Sequence, residues 1–357
     1  MGIFFENNAI GIEIEGNAVR LMRIKKVKSG LCLSGYAQCE FPEGVLEKGN
    51  IKNGDKFRAA LEPQLRTLSG VSDAVISLPE DATYLRVISL PKMSEAEAKR
   101  AALFEVENHI PLCLADLYLD LEIIDEPAQG LSDTSKVLIL ASPKVAIDGY
   151  IQQLSILKVR PVAFESRAHS LARALVKGKK TEQPLLIIDM SASKTNISIF
   201  FWSQPRFSAS IPISVGHFFS ATSRALGISG EEAKAKIYSL GFLKEGSQGQ
   251  KIFESLIPAA TDLAEQIKRY IDFYQNKNCG GKITKALLCG EGSNVAGLPD
   301  IFSSLLGIPC EIGDVWQNIF SPESGEIPDL SCDLAPKFAA AIGAAIRGAS
   351  FDQELYD

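Results

Sequence analysis

Ala9-Ile10-Gly11-Ile12-Glu13-Ile14 and Leu185-Leu186-Ile187-Ile188-Asp189-Met190 are two apolar strand candidates, each ending near an acidic residue, about half a chain apart. Each opens a similar series of elements. The first copy continues through Ala18-Val19-Arg20-Leu21-Met22-Arg23-Ile24 and Leu31-Cys32-Leu33-Ser34-Gly35-Tyr36. A helix near Phe57 to Leu68 and the strand Ala74-Val75-Ile76-Ser77-Leu78-Pro79 complete it. The second continues through Thr195-Asn196-Ile197-Ser198-Ile199-Phe200 and Phe207-Ser208-Ala209-Ser210-Ile211-Pro212-Ile213. A helix near His217 to Leu226 comes next, and the copy closes on Ala286-Leu287-Leu288-Cys289. Period-two or fully apolar runs of this length read as strands, and interleaved helices place them in sheets with helices packed on the faces.

Two such units in this order fit few architectures. The expected fold class is α/β, a duplicated ribonuclease H-like βββαβα unit of the actin-like, sugar-kinase and heat-shock ATPase type. In that fold each half contributes its first hairpin to a nucleotide cleft. The plainer alternative is two unrelated α/β domains. A length of 357 residues with 46% hydrophobic content supports two or more cored domains.

The net charge of -6, with Lys and Arg scattered along the chain, gives no basic footprint for nucleic acid. Seven cysteines, Cys32, Cys39, Cys113, Cys279, Cys289, Cys310 and Cys332, show no CxxC spacing and mostly sit in apolar stretches. They read as reduced core residues rather than a metal or disulfide framework. No run approaches the roughly 20 apolar residues that span a bilayer. The start, Met1-Gly2-Ile3-Phe4-Phe5-Glu6, lacks a basic n-region, and Glu6 stands where a myristoylation signal wants Ser or Thr. No export or lipid address is expected.

Between the first closing strand and the second copy lies an extra module. It opens with Tyr84-Leu85-Arg86-Val87-Ile88-Ser89-Leu90-Pro91, then a helix whose Ser94 and Glu97 have capping-box spacing and which stops before Pro111. Two strand candidates come after it, Tyr118 to Ile124 and Val137 to Ser142. A helix from about Lys144 to Leu157 and the strand Pro161 to Glu165 return the chain to the first half.

Leu90-Pro91-Lys92-Met93-Ser94-Glu95-Ala96-Glu97, with Phe104-Glu105-Val106-Glu107-Asn108-His109-Ile110-Pro111, resembles the "LPxMS...E" and "EAEKYIP" segment of the PilM family of type IV pilus assembly proteins. Gly11 to Ile14 resembles the family's "GIDIG", Ile187 to Met190 its "LIDIG", Ser229 to Lys234 its "sxEEAExxK", and Ile342 to Gly348 its terminal "yGLALRG". The resemblance covers essentially the whole chain in order. It implies an actin-like core divided into subdomain 1A at 1–85, an inserted α+β, SHS2-like subdomain 1C at 86–159, and a return to 1A at 160–182. Subdomain 2A then covers 183–218, 2B 219–284 and 2A again 285–334, and a C-terminal helix returns to 1A, with the tail, at 335–357. It further implies a cytoplasmic scaffold recruited to the inner face of the membrane by the short N-terminal tail of a PilN-like bitopic protein, beside other platform proteins. Arg86, Phe104, Glu107 and Tyr118 are the expected lining of that partner site.

The family also implies ATP and Mg²⁺. The positions carried over are Glu13, Gly16, Asn17, Arg20, Asp189, Ser191, Thr195, Gly216, Lys236, Gly290, Gly292 and Ser293, with Asp189 as the metal ligand. Departures fall where phosphates would bind. Glu15 stands at the family's first-hairpin glycine, Ala18 replaces a hydroxyl, and Arg20 matches a Lys. Ser191, His217 and Glu291 stand at three further glycines. Backbone donors reach phosphates most closely where side chains are absent. A carboxylate about 4 Å from a phosphate charge at a dielectric near 20 costs on the order of 4 kcal/mol, roughly a thousandfold in affinity. A degenerate site with no catalytic residue is therefore expected.

His109, His169 and His217 have no ligand-like spacing and read as structural. Gly290-Glu291-Gly292 lacks the full dinucleotide fingerprint. Trp316 sits in a polar stretch from Gly313 to Asp329 that reads as a surface loop. Three function classes remain: a non-enzymatic pilus or secretion scaffold, a nucleotide-dependent actin-like ATPase of the pilus or division machinery, and a membrane-tethered filament former like FtsA. The acidic ending Phe351 to Asp357 argues against the third, because anionic lipid repels it.

Overall fold

The computed structural model describes residues 9–27, 30–124, 133–277, 281–320 and 329–354. The expectations resting on Met1 to Glu6, on Cys279 and on the last three residues of the tail lie outside these. The chain divides into two units, Met1–Gly178 with Trp316–Asp329 and Ala340–Asp357, and Lys179–Val315 with Leu330–Ala339.

In the first unit, β1 (Ala9–Glu15), β2 (Ala18–Val27) and β3 (Gly30–Glu40) form an antiparallel meander, followed by the short pair β4 (Leu46–Glu47) and β5 (Asn50–Ile51) and by α1 (Gly54–Thr67). Next come β6 (Asp73–Leu78), β7 (Tyr84–Pro91), α2 (Glu95–His109), β8 (Leu117–Ile124), β9 (Thr134–Pro143), α3 (Lys144–Ile156), β10 (Arg160–Ser166) and α4 (Arg167–Leu175). The main sheet has the order β10-β6-β1-β2-β3, with β6 parallel to both β1 and β10. β1 is buried along its whole length. That explains its unbroken apolar run, since a strand covered on both faces does not alternate.

The second unit has β11 (Thr181–Met190), β12 (Thr195–Trp202), β13 (Gln204–Ile211), α5 (Val215–Leu226), α6 (Gly230–Ser239), α7 (Gly246–Lys277), β14 (Lys285–Cys289), α8 (Leu298–Leu306) and β15 (Cys310–Ile312). The helix α9 (Ala339–Glu354) closes the chain in the first unit. The sheet order β13-β12-β11-β14-β15 repeats the first unit strand for strand, meander first and two parallel strands after. The duplication read from the sequence is thus a duplication of topology.

The inserted strands form a separate sheet, β7-β9-β8, with α2 on one face. Ser94 and Glu97 make the expected reciprocal cap of α2. Ala98, Ala102 and Val106 pack there on Ile88, Val137 and Ile139. Leu85, Ile124 and Leu138, on the opposite face of the sheet, pack with Ala168 of α4. The helix α3, which a boundary at 159 assigns to the insert, packs instead in the main core: Ile147, Tyr150 and Leu154 join Ile12, Phe57 and Ile76. Tyr150 donates to the Gly49 carbonyl at 2.8 Å, and Arg58 of α1 donates to Gln153.

Two sequence expectations change. The Trp316 segment is not merely a surface loop: Gln317 Nε2 donates to the Leu175 carbonyl at 2.7 Å and Asn318 Nδ2 to the Val176 carbonyl at 2.8 Å. It therefore acts as a helix cap, supplying donors to orphan carbonyls at the end of α4. Of the cysteines, Cys289 and Cys310 are buried and Cys32 and Cys39 partly so, but Cys113 and Cys332 are exposed, because each lies in a connection rather than a strand.

Candidate functional site

The first hairpin turns tightly, through Gly16 (φ 57°) and Asn17 alone, so that Glu15 pairs with Ala18 and Glu13 lies directly across from Arg20. Arg20 Nη1 approaches Glu13 Oε1 at 2.6 Å, and Arg167 Nη1, from the first position of α4, reaches the same oxygen at 2.9 Å. Arg167 also stands 3.6 Å from Glu15 Oε2. The other Glu13 oxygen accepts the Ala341 amide of α9 at 3.3 Å. All four charged side chains are buried. Two carboxylates and two guanidinium groups thus compensate one another where a metal and phosphates would need open ligands. Glu15 does not project into solvent.

The second hairpin is satisfied differently. Ser191 Oγ donates to the Lys194 carbonyl at 2.8 Å, and its backbone amide donates to the same carbonyl at 2.9 Å, closing a four-residue turn. Thr195 Oγ1 donates to the Ile213 carbonyl at 2.7 Å, and Asp189 is buried beside it in β11. At the start of α5, where dipole and free amides favour an anion, His217 Nδ1 accepts the Ser214 amide at 3.1 Å. A Cβ on Gly216 would lie 2.6 Å from the Ala192 carbonyl, and one on Gly290 2.5 Å from Asp189 Oδ1. These glycines meet the demands of the fold itself rather than forming a cradle open to a ligand. Ser293 Oγ donates to the Gly290 carbonyl at 2.9 Å, and Gly292 packs on Met190. Lys234 pairs with Glu291 at 2.7 Å, whereas Lys236, half-buried, lies apart and donates to Gln248 of α7 at 3.1 Å. Within each unit, Glu13, Arg20, Ser191, Thr195 and Ser293 already have protein partners, and as they stand they do not fit Mg-ATP.

Arg167 is the residue that sequence reading passed over. Its signal was a cation in the first turn of a helix, where the dipole disfavours it, just after the N-cap Ser166.

A second candidate lies wholly within the first unit. A cavity of about 350 Å³ opens between the insert sheet and the main sheet, lined by Tyr118, Asp120, Leu140 and Ser142 on one wall and by Leu78, Ile147, Ile151 and Phe164 on the other. Glu165 and Ser166, at the joint of β10 and α4, complete it. Both flanking strands are sheet edges, β8 in the insert and β10 in the main sheet. Glu165 is buried and accepts from Ser170 Oγ at 2.5 Å, Arg173 Nη1 at 2.7 Å and Arg347 Nη1 at 3.0 Å. Burial alone would raise its pKa, but these partners hold its carboxyl below the ordinary value. His169, which shares a hydrogen bond with Ser166 at 2.7 Å, is pushed by burial down to about 4.

Of the four expected partner residues, Tyr118 lines this cavity, half-exposed, its hydroxyl donating to Asp148 at 3.0 Å. Phe104, 82% exposed, and Glu107 lie on α2, which covers the other face of the insert sheet. Arg86 alternates with the cavity-side Leu85 and Val87, and so also sits on the α2 face. Asp120, two residues from Tyr118 on the same face of β8, was not singled out by sequence.

The family described as type IV pilus assembly protein PilM matches residues 11–349. A solved structure titled as a PilM-PilN type IV pilus biogenesis complex is similar at 22% identity and TM-score 0.74, covering 96% of this chain and 98% of that one. MreB5 of Spiroplasma citri bound to ADP is similar at 12% identity and TM-score 0.56, covering 98% of each chain. The ethanolamine utilization protein EutJ from Carboxydothermus hydrogenoformans gives 13% identity and TM-score 0.51, covering 94% and 88%. These likenesses establish the actin-like fold. Comparison with curated proteins gave no match. Among the described residues no helix is long and apolar enough to cross a membrane.

Proposed function

The chain belongs to the PilM family of type IV pilus assembly proteins, and from that premise we propose that it is a scaffold of the inner-membrane platform whose first-unit groove seats the cytoplasmic tail of a PilN-like bitopic membrane protein. The observation that carries this reading is the pairing of an open, mainly apolar groove between two sheet edges with phosphate loops closed by their own side chains. An extended peptide beside a sheet edge gains main-chain hydrogen bonds, and pockets for its alternate side chains give specificity. The similar complex contains PilM with PilN, which supports the partner class. Attachment through the partner puts the protein at the inner face of the membrane, and it needs no spanning helix, of which the described residues hold none. The role is non-enzymatic, and the nucleotide site is a remnant.

The test is binding of a synthetic peptide, the tail of the bitopic protein encoded beside this chain, to the full-length protein and to Ile151→Glu. A carboxylate in the apolar wall is expected to abolish binding while the circular dichroism spectrum stays unchanged. Undiminished binding by Ile151→Glu overturns the proposed seat. A low-micromolar Mg-ATP dissociation constant by calorimetry overturns the remnant site in favour of an active nucleotide-dependent protein.

A further inference from the structure

The lining of the first-unit groove carries an unbalanced charge. Leu78, Leu140, Ile147, Ile151 and Phe164 make its walls apolar, and its two carboxylates are Asp120 and Glu165. Glu165 is already matched by Arg173 and Arg347. Asp120 is exposed on the edge strand β8 and, among the described residues, has neither a hydrogen bond nor an ion pair. No Lys or Arg lines the cavity. The groups coupled to it electrostatically, Lys99 and His169, do not pair with it. Lys99 is held by Glu95 at 2.7 Å on α2, which packs on the opposite face of the sheet. His169, its pKa pushed down to about 4, is neutral at physiological pH. Lys144 lies over the Tyr118 ring but donates to the Ala115 carbonyl at 2.6 Å, and Asp148, the next acid along the rim, accepts the Tyr118 hydroxyl.

We infer that the segment seated in this groove is extended and mainly apolar and carries one Lys or Arg whose head group meets Asp120. The inference rests on the groove being the partner seat. Its physical basis is complementarity: an unmatched carboxylate beside low-dielectric walls attracts a cation more strongly than one in open water. A long cationic side chain can lay its methylenes along Leu140 while its charge reaches the rim. Protein segments just inside a membrane are also rich in Lys and Arg, so the chemistry required is the chemistry such a tail supplies. Asp120 would then set the register of the bound segment, since its period-two partner on the same face, Tyr118, marks the next pocket along β8.

The experiment measures binding of the synthetic tail peptide to the full chain by calorimetry, with each Lys and Arg of the peptide replaced in turn by norleucine, and with the variants Asp120→Asn and Leu140→Glu. One norleucine peptide should bind about tenfold more weakly, Asp120→Asn should lose a similar factor, and the two losses should not add in a double-mutant cycle. If Leu140→Glu abolishes binding while Asp120→Asn and every norleucine peptide stay within about twofold of the parent, the cation inference falls and the groove remains the seat. If the peptide binds equally to Leu140→Glu, the groove reading falls and takes the inference with it. The peptide substitutions leave the protein untouched, so the outcome does not depend on Asp120→Asn folding.

Discussion

The two hairpins, Glu13 to Arg20 and Asp189 to Thr195, hold the same place in the repeated topology and are held by different chemistry. The first is held by charge: Glu13, Arg20, Arg167 and Glu15 form a buried cluster that also anchors the start of α9. The second is held by neutral hydrogen bonds from Ser191 and Thr195 to backbone carbonyls. The contrast shows two ways to satisfy the polar groups of such a hairpin. A charged cluster is demanding, because removing one member leaves an uncompensated buried charge, whereas a neutral bond loses only its own net contribution and the desolvation of its partner.

The largest effect is therefore expected from Arg167→Met, which should destabilise the protein by about 3–5 kcal/mol in denaturant titration. A loss below about 1 kcal/mol would mean that the cluster is solvated and that the hairpins are alike after all. The double variant Glu13→Gln with Arg20→Met, which removes charge in balance, should lose less than either single change.

Next comes Glu165, the carboxylate on the same short helix system. Its depressed pKa means that its stabilisation is fully present above the ordinary carboxylate pKa and lost as pH falls through the lower, folded value. Glu165→Gln should be less stable than the parent at neutral pH, with the gap narrowing as the solution is acidified below the carboxylate range. A gap independent of pH would remove the ionised carboxylate from the account. His169 works in the same direction at milder acidity. With a folded pKa of about 4 against an ordinary 6.5, it resists protonation, so its contribution is present above 6.5 and lost as pH falls towards 4. His169→Phe should flatten the fall in melting temperature across that window, and an unchanged slope would place its origin elsewhere.

Thr195→Val sharpens the comparison from the neutral side, with an expected loss of about 1 kcal/mol by the same titration. A loss as large as that of Arg167→Met would erase the distinction between the hairpins. The smallest expected effect is that of millimolar Mg-ATP, which should leave the melting temperature within about 1 °C, since a micromolar site would raise it by several degrees. A shift of that size abolished by Asp189→Asn would show that the second hairpin still binds nucleotide.

How much was legible from sequence depends on the range of each interaction. Capping of α2 by Ser94 and Glu97, the period of β8 and the unbroken apolar runs of β1 and β11 are local, and the strand, helix and strand order of both halves could be read from them. Glu15, His217 and Glu291 gave the expectation of a departure from phosphate binding by their chemistry alone. The partners of the buried carboxylates Glu13 and Glu165 were not local. Arg167 meets Glu13 across 154 positions, and Arg347 meets Glu165 across 182.

The sequence by itself determined the duplicated topology, the insertion and the side-chain types carried at the two hairpins, because patterning and side-chain type act over a few residues at a time. The tertiary structure decided that Glu15 turns inward to Arg167, that α3 belongs to the main core, and that Tyr118 and Asp120 rather than Phe104 face the groove. Each of these depends on which face of an element meets another distant in the chain, and a periodic pattern fixes the faces without naming their partners.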